Sequence, residues 1–212
     1  MKRLLRLALT KGRLETKLLG LLRRAGVDTA PLGDKGRRLI HPLPDAGVEV
    51  VLAKAPDVIT YVEHGVCDLG VVGKDTILEC GQSFYEVLDL RFGACRFALA
   101  VREGEDFFGT YRHRRVASKY PNVAGDWFAA QGLDVEIIRI EGSVELAPLL
   151  GLADAIVDIV ETGATLRANG LVPVADICPV SARLIVNLAA MKMKRAPVQA
   201  FVALCRAGLE GD

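Results

Sequence analysis

The feature that most limits how this chain can fold is a repeated switch of period. Short runs that are apolar at nearly every position alternate with longer segments whose apolar residues recur every three or four places. RLLRLAL, ending at Leu9, is followed by Leu14, Leu18, Leu21, Leu22 and Ala25, a helical stripe that stops at Gly26. A continuous apolar run suits a strand covered on both faces, and a stripe at helical spacing suits the helix that covers it. The switch then recurs. VEVVLA (48–53) precedes 56–65, with Pro56 in the first helical turn, and DLGVVG (68–73) precedes DTILEC, with Asp75 as candidate cap. RVASKYP precedes NVAGDWFAAQG, VEIIRI (135–140) precedes GSVELAPLLG with Ser143 as candidate cap, and AIVDIV (155–160) precedes TLRANG (165–170). The run 94–101 and SARLIVN read as further strands, and 197–208 as a closing helix. The pattern predicts an α/β fold with mostly parallel sheets.

Composition narrows the function classes. The chain has 212 residues, 51% hydrophobic, with a formal net charge of +1. That is ample for a buried core in one domain or two small ones. A near-neutral balance argues against nucleic acid as the main partner, because phosphate backbones call for clustered basic surface. The basic stretch Arg112-His113-Arg114-Arg115 reads as a solvated loop. Cys67, Cys80, Cys95, Cys178 and Cys205 form no CxxC, and His41, His64 and His113 form no HxH or HExxH, so no metal centre is expected from them. The amino terminus lacks the apolar core of a signal peptide, and no apolar run would span a bilayer. A soluble, cytoplasmic protein without nucleic-acid or membrane partners is the expectation.

In strand-loop-helix units, ligands gather at the carboxyl ends of strands. Three polar turns fall there: Thr10-Lys11-Gly12-Arg13, Gly73-Lys74-Asp75, and Glu161 to Thr165. The last belongs to DIVETGATL (158–166). Unpaired N–H groups at a helix start favour an anion, Gly163 permits close approach, and Thr162 and Thr165 add hydroxyls. The same residues would also serve an empty helix capped by Thr162. Carboxylates nearby, Asp154, Asp158 and Glu161, suit a sugar hydroxyl or a divalent ion beside a phosphate. GVVGKDT is no Walker loop, since its glycines are too close and Asp75 follows Lys74. GxGxxG and GxSxG are absent. Arg37, Arg38 and Lys54, taken singly, read as solvated cations.

Taken in order, the segments LALTKGRL, DVITYVEHGVCDLGVVGKD, LDLRFGACRFALAV, RVASKYPNVAGDWF, EIIRIEGSVELAPLLGLADAIVDIVETGATLRANGL and SARLIVN resemble the ATP phosphoribosyltransferase family. The resemblance covers almost the whole chain. It is densest from Glu145 to Leu166, through Glu145, Gly151, Ala153, Ile156, Asp158, Thr162, Gly163, Thr165 and Leu166. After SARLIVN one helix is expected before Asp212, which resembles the family's short form.

The resemblance implies a two-lobed fold of the periplasmic-binding-protein-like (type II) group, with an active-site cleft between lobes. Residues 1–90 and 180–212 would form lobe I, and 91–179 an inserted lobe II. It implies transfer of the phosphoribosyl group of phosphoribosyl pyrophosphate (PRPP) to N1 of ATP, the first step of histidine biosynthesis, with Mg2+ riding on the pyrophosphate. It implies a homodimer within a hetero-oligomer that includes a regulatory subunit similar to histidyl-tRNA synthetase. Thr162, Gly163, Ala164 and Thr165 would hold the 5-phosphate, with Asp154, Asp158 and Glu161 toward the ribose and the metal it carries. Lys11, Arg13, Arg37 and Lys54 would surround the pyrophosphate or the ATP phosphates. Asp68, Gly70 and Gly73, with Lys11, would line the ATP pocket.

Two positions depart from the family pattern. Thr10 stands where proline is usual, and Lys54 where arginine is usual, ahead of Asp57-Val58-Ile59. Lysine keeps the charge and loses the bidentate fork. Two other functions fit parts of the pattern: a non-catalytic two-lobed module that clamps a small anion or nucleotide, and a different PRPP-dependent transferase, since acidic-then-TGxT loops recur among PRPP users.

Overall fold

The computed structural model describes residues 4–33, 36–81, 83–109 and 113–211; Arg112 lies outside them. The chain divides into two compact units, Met1–Gly93 with Ser181–Asp212, and Ala94–Val180.

The first unit is a sheet between two helical layers. Its strands are β1 (Leu5–Thr10), β2 (Ile40–Leu43), β3 (Val48–Ala53), β4 (Leu69–Gly73) and β5 (Phe84–Asp89), joined by β11 (Ala182–Asn187) from the carboxyl-terminal segment. They lie in the order β2-β3-β1-β4-β11-β5. Period-two alternation assigns the faces. Leu5, Leu7 and Leu9 of β1 join Val48, Val50, Leu69, Val71, Leu184 and Val186 in one buried cluster. That cluster is closed by Leu18, Leu21 and Leu22 of α1 (Arg13–Arg24) and by Val198, Phe201 and Cys205 of α8 (Arg195–Glu210). Ala8, Val72 and Ile185 face the other way, against Val58, Ile59 and Val62 of α2 (Ala55–Glu63) and Ile77 of α3 (Lys74–Cys80). Each fully buried leucine contributes about 1.5–3 kcal/mol, so the two clusters anchor the sheet edges on which the loops are carried.

The second unit has strands β6 (Cys95–Arg102), β7 (Arg114–Ser118), β8 (Val135–Arg139), β9 (Ala155–Val160) and β10 (Leu171–Val180) in the order β10-β6-β9-β7-β8. The apolar run AIVDIV is β9, held between β6 and β7. Ile156 and Val160 pack with Ala147 of α5 (Leu146–Leu149) and Leu166 of α6 (Ala164–Ala168). Helix α4 (Pro121–Ala130) brings Phe128 to Phe107, with ring centroids 5.8 Å apart. Helix α7 (Leu188–Met193) and two short 3-10 turns, Ala30–Leu32 and Pro44–Ala46, also belong to the first unit. No helix among the described residues is long and apolar enough to cross a membrane.

Several expectations are corrected. Both sheets are mixed: β3-β1-β4 and β9-β7-β8 run parallel, while β2, β11, β5, β6 and β10 pair antiparallel. Only strands reached through a crossover helix had to be parallel. Asp75 is not the cap of α3; Gly73 holds that place, and Asp75 lies within the first turn. Ser143 does not cap α5, whose first residue is preceded by Glu145. The basic stretch is only partly the solvated loop expected: Arg112 lies outside the described residues and His113 is exposed, but the rest is strand. Arg114 begins β7, is 7% exposed, and stacks 4.7 Å from the Phe107 ring.

Candidate functional site

In the first unit the three parallel strands end at one edge. Lys11 follows β1, Lys54 follows β3 and Lys74 follows β4. Neighbouring strands lie about 4.8 Å apart, so these lysines stand in a row. The row is fastened by two hydrogen bonds: the Lys11 N–H donates to the Ala53 carbonyl at 3.0 Å, and the Thr10 hydroxyl donates to the Val71 carbonyl at 3.0 Å. Thr10 thus ties β1 to β4 at the loop's root.

Each lysine also stands at a helix start. Gly12, at φ 90, caps α1, and Arg13 is its first residue. Lys54, in extended backbone, caps α2, and Lys74 opens α3. The amino end of a helix repels cations, and the first turns hold Glu15, Asp57 and Asp75 as partial offset. Lys74 is further committed, donating to Glu86 at 2.6 Å, and Arg183 also approaches Glu86 at 3.3 Å. Among the described residues no carboxylate pairs with Lys11, Arg37, Arg38 or Lys54. Lys11, Arg37 and Arg38 line a cavity of about 280 Å³ with Glu15, Gly36, Leu39 and Leu52. An open cavity with three uncommitted cations on its wall can hold a polyanion. Arg38 was not among the expected site residues. Only the neighbouring Arg37 was, because sequence does not say which of two adjacent cations turns inward.

The ATP-pocket residues separate. Asp68 precedes β4, so about 16 Å of extended chain divides it from Gly73. Its carboxylate accepts the Arg6 N–H at 3.0 Å and Lys194 Nζ at 2.7 Å, and the residue is 8% exposed. Asp68 is a structural acid at the far edge of the sheet. Gly70 is a packing glycine: a Cβ there would fall 2.8–3.0 Å from Val62, Ile185 and Val58. Gly73 does lie at the edge with the lysines, with the Asp75 carboxylate folded over it.

In the second unit, DIVETGATL runs off β9 into α6. Gly163 sits at φ 71 as the residue before the helix, and the Ala164 N–H donates to the Thr162 hydroxyl at 3.3 Å. Glu161, Thr162, Ala164 and Thr165 are exposed. Asp158 lies on β9 opposite Ala98, on the face that Leu166 of α6 covers. Asp154 is at the other end. It precedes β9, about 20 Å of strand before the turn, and its carboxylate accepts the Arg115 N–H at 2.9 Å. The structure therefore removes Asp154 from the turn, although it shares a face with Asp158. Arg167, not anticipated, folds back so that a Cβ on Gly163 would lie 3.2 Å from its guanidinium. Its spacing of four residues from Gly163 was the available signal. Among the described residues no group of three or more His, Cys, Asp or Glu converges as a metal centre.

Comparison with known proteins identifies the family. Residues 54–207 match the HisG, ATP phosphoribosyltransferase, family profile. An ATP phosphoribosyltransferase of Clostridium kluyveri is 56% identical over 201 residues, which cover 95% of this chain and 92% of that protein. The solved ATP phosphoribosyl transferase (HisG:HisZ) complex from Thermotoga maritima contains a chain that superposes with a TM-score of 0.84 at 33% identity, covering 98% of both chains. The periplasmic aliphatic sulphonate binding protein SsuA of Escherichia coli shares the fold alone, with a TM-score of 0.60 at 15% identity, over 98% of this chain and 69% of that one. With the family profile matched over residues 54–207 and 56% identity to a member across 95% of its length, the chain belongs to the ATP phosphoribosyltransferase family.

Proposed function

We infer that this chain transfers the phosphoribosyl group of PRPP to N1 of ATP, releasing pyrophosphate, as the first step of histidine biosynthesis. The observation that carries the reading is the 56% identity to an ATP phosphoribosyltransferase across 95% of the chain. N1 of ATP attacks C1 of the ribose while the bond from C1 to the pyrophosphate oxygen breaks. The chemistry needs alignment of N1 with C1 and stabilisation of charge on the departing pyrophosphate. It needs little from a general base.

Lys11, Arg13, Arg37, Arg38 and Lys54 are assigned to the phosphates of the leaving group and of ATP; the cavity bordered by Lys11, Arg37 and Arg38 supports those three, and their places at helix starts support Arg13 and Lys54. The turn Thr162–Thr165 is assigned to the 5-phosphate, supported by Gly163 in left-handed backbone. Asp158 and Glu161 are assigned to the ribose side. Gly73 is kept for ATP; Asp68, Gly70 and Asp154 are not. A divalent ion, which we take to be Mg2+, would offset charge on the pyrophosphate. We read it as arriving bound to substrate, with Glu161 as the carboxylate nearest the turn and Asp158 behind it on β9.

The Thermotoga maritima relative is part of a HisG:HisZ complex. By analogy this chain works in the cytoplasm as a homodimer inside a hetero-oligomer with a histidyl-tRNA-synthetase-like regulatory subunit. Leu146, Leu149, Leu150 and Leu152, 41–79% exposed, offer apolar surface for such contacts. The test is incubation with ATP, PRPP and Mg2+, with and without that subunit, while following pyrophosphate release and ultraviolet absorbance. Pyrophosphate formed only when both substrates are present supports the reading; no product in either mixture sinks it.

A further inference from the structure

The chain enters the second unit along β6 and leaves it along β10, and the two strands pair antiparallel. Each carries a cysteine at that end. Cys95 opposes Val180, and Cys178 opposes Phe97. Side chains alternate along a strand, so both thiols lie on one face, in diagonal positions. Diagonal neighbours are about 7–8 Å apart, somewhat less between Cβ atoms, just beyond the reach of a disulfide. A small shift of one strand closes the gap, and β10 is the strand that can shift. It is an edge strand, paired on one side only. Its register slips between Asp176 and Cys178, a bulge that bends the strand and deepens its twist. From the other face Arg96 already reaches across to Asp176 at 2.6 Å. Cys95 and Cys178 are thiols, each half-buried, whereas Cys67 and Cys205 are enclosed.

We propose that Cys95 and Cys178 form a reversible disulfide, a redox-sensitive switch beside the turn that leaves β9. The oxidant is a low-molecular-weight disulfide. The thiolate of one cysteine attacks it, giving a mixed disulfide and one small thiol. The second cysteine's thiolate attacks the protein-bound sulfur, closes the bond and releases the second small thiol. The protein gives up two electrons and two protons, and the small disulfide takes them. A reducing compartment keeps the pair as thiols. Position supplies the consequence. Arg96 pairs with Val160, the last residue of β9, so the bond draws on the sheet end from which Glu161 to Thr165 depart. The disulfide therefore weakens PRPP binding and leaves ATP binding alone. That effect rests on reading the turn as the 5-phosphate cradle; the bond itself does not.

The test treats the full-length chain with oxidised glutathione, blocks remaining thiols with N-ethylmaleimide, and maps peptides. A linked pair containing Cys95 and Cys178, reversed by dithiothreitol, is expected. Cys95→Ser should carry glutathione on Cys178 instead. Calorimetric titration with PRPP and with ATP, each alone, reads the switch. Oxidation should weaken PRPP about fivefold or more, as coupled sites do, with ATP affinity unchanged, dithiothreitol restoring the loss, and Cys95→Ser indifferent to closure. Mixed adducts without a linked pair in the wild-type chain overturn the proposal. A linked pair with unchanged PRPP affinity, or equal losses for PRPP and ATP, overturns the switch. If the reduced chain binds no PRPP, the cradle reading falls and the switch with it, while the mapped bond stands on its own result.

Discussion

Lys194 donates to the carboxylate of Asp68 at 2.7 Å, pinning the turn between α7 and α8 to the amino end of β4. The same carboxylate takes the Arg6 N–H, so one acid joins three segments of the first unit. Asp68 belongs to the framework, on the edge away from the lysine row.

Asp68→Asn should therefore cost stability and spare catalysis. It removes a charge from a largely buried pair whose lysine is 39% exposed, and the expected loss is about 1–3 kcal/mol. Urea unfolding reads the loss. The KM for ATP should match wild type, and a large rise in it would return Asp68 to the nucleotide pocket.

Gly70→Ala should behave in the same way for a steric reason. The added methyl meets Val62, Ile185 and Val58 at 2.8–3.0 Å, and overpacking of this kind costs about 1–3 kcal/mol. A lowered melting temperature with unchanged KM for ATP is the expected result.

These two residues mark where sequence stops informing. DLGVVG was identifiable as a strand bounded by polar groups, and that much is β4. Which end of a strand faces ligand depends on the direction of its parallel neighbours, which pairing decides. The same gap misplaced Asp154. Period two correctly puts it on the face of Asp158, but β9 is long enough to carry them to different ends. Three strands escaped notice. IHPL (β2) and LVPVADICPV (β10) contain prolines, which argue against a central strand and are tolerated at an edge, where both lie. β10 also bulges between Pro173 and Ala175 and between Asp176 and Cys178, which breaks its alternation. FYEVLD (β5) is likewise an edge strand, and its burial pattern gives no clear period. The Gly163 turn was readable because its constraint is local: a buried strand, a left-handed glycine and a helix start in nine residues.

Asp89 gives the first unit an acid-sensitive contact. Burial alone would raise its pKa, but the Arg91 N–H, the Ser181 hydroxyl and the charge of Arg183 outweigh that and hold it below the ordinary carboxylate value. A depressed carboxylate contributes stability above its unfolded pKa and loses that contribution as pH falls through the folded one. Unfolding free energy should thus decline below about pH 4. In Asp89→Asn the decline should be shallower. Identical slopes in urea titrations from pH 5 to pH 2.5 would exclude Asp89 as a contributor.

Thiol reactivity should divide by burial. Burial pushes the Cys67 thiol up to about 11 and the Cys205 thiol up to about 12, so neither offers appreciable thiolate near neutrality. Cys80 is exposed. A thiol-specific chromogenic reagent at pH 8 should label Cys80 promptly and reach Cys67 and Cys205 only after unfolding. Peptide mapping identifies the order, and rapid labelling of Cys205 in the native protein would contradict its place on the buried face of α8.

Lys54 carries the sharpest catalytic expectation. It stands at the start of α2, extended and exposed, in the row with Lys11, and no described carboxylate neutralises it. A cation there is adverse to the helix and useful only when an anion arrives. If that anion is the departing pyrophosphate, the charge matters most as the bond to C1 breaks. Lys54→Ala should then lower kcat by about 100-fold, in the range for losing one preorganised electrostatic contact, while ATP affinity changes far less. Lys54→Arg should retain activity or exceed it, since the fork grips two oxygens at once. Steady-state kinetics with both substrates varied separates kcat from KM. Unchanged turnover in Lys54→Ala would remove the residue from the mechanism and leave Lys11, Arg37 and Arg38 as the groups facing the pyrophosphate.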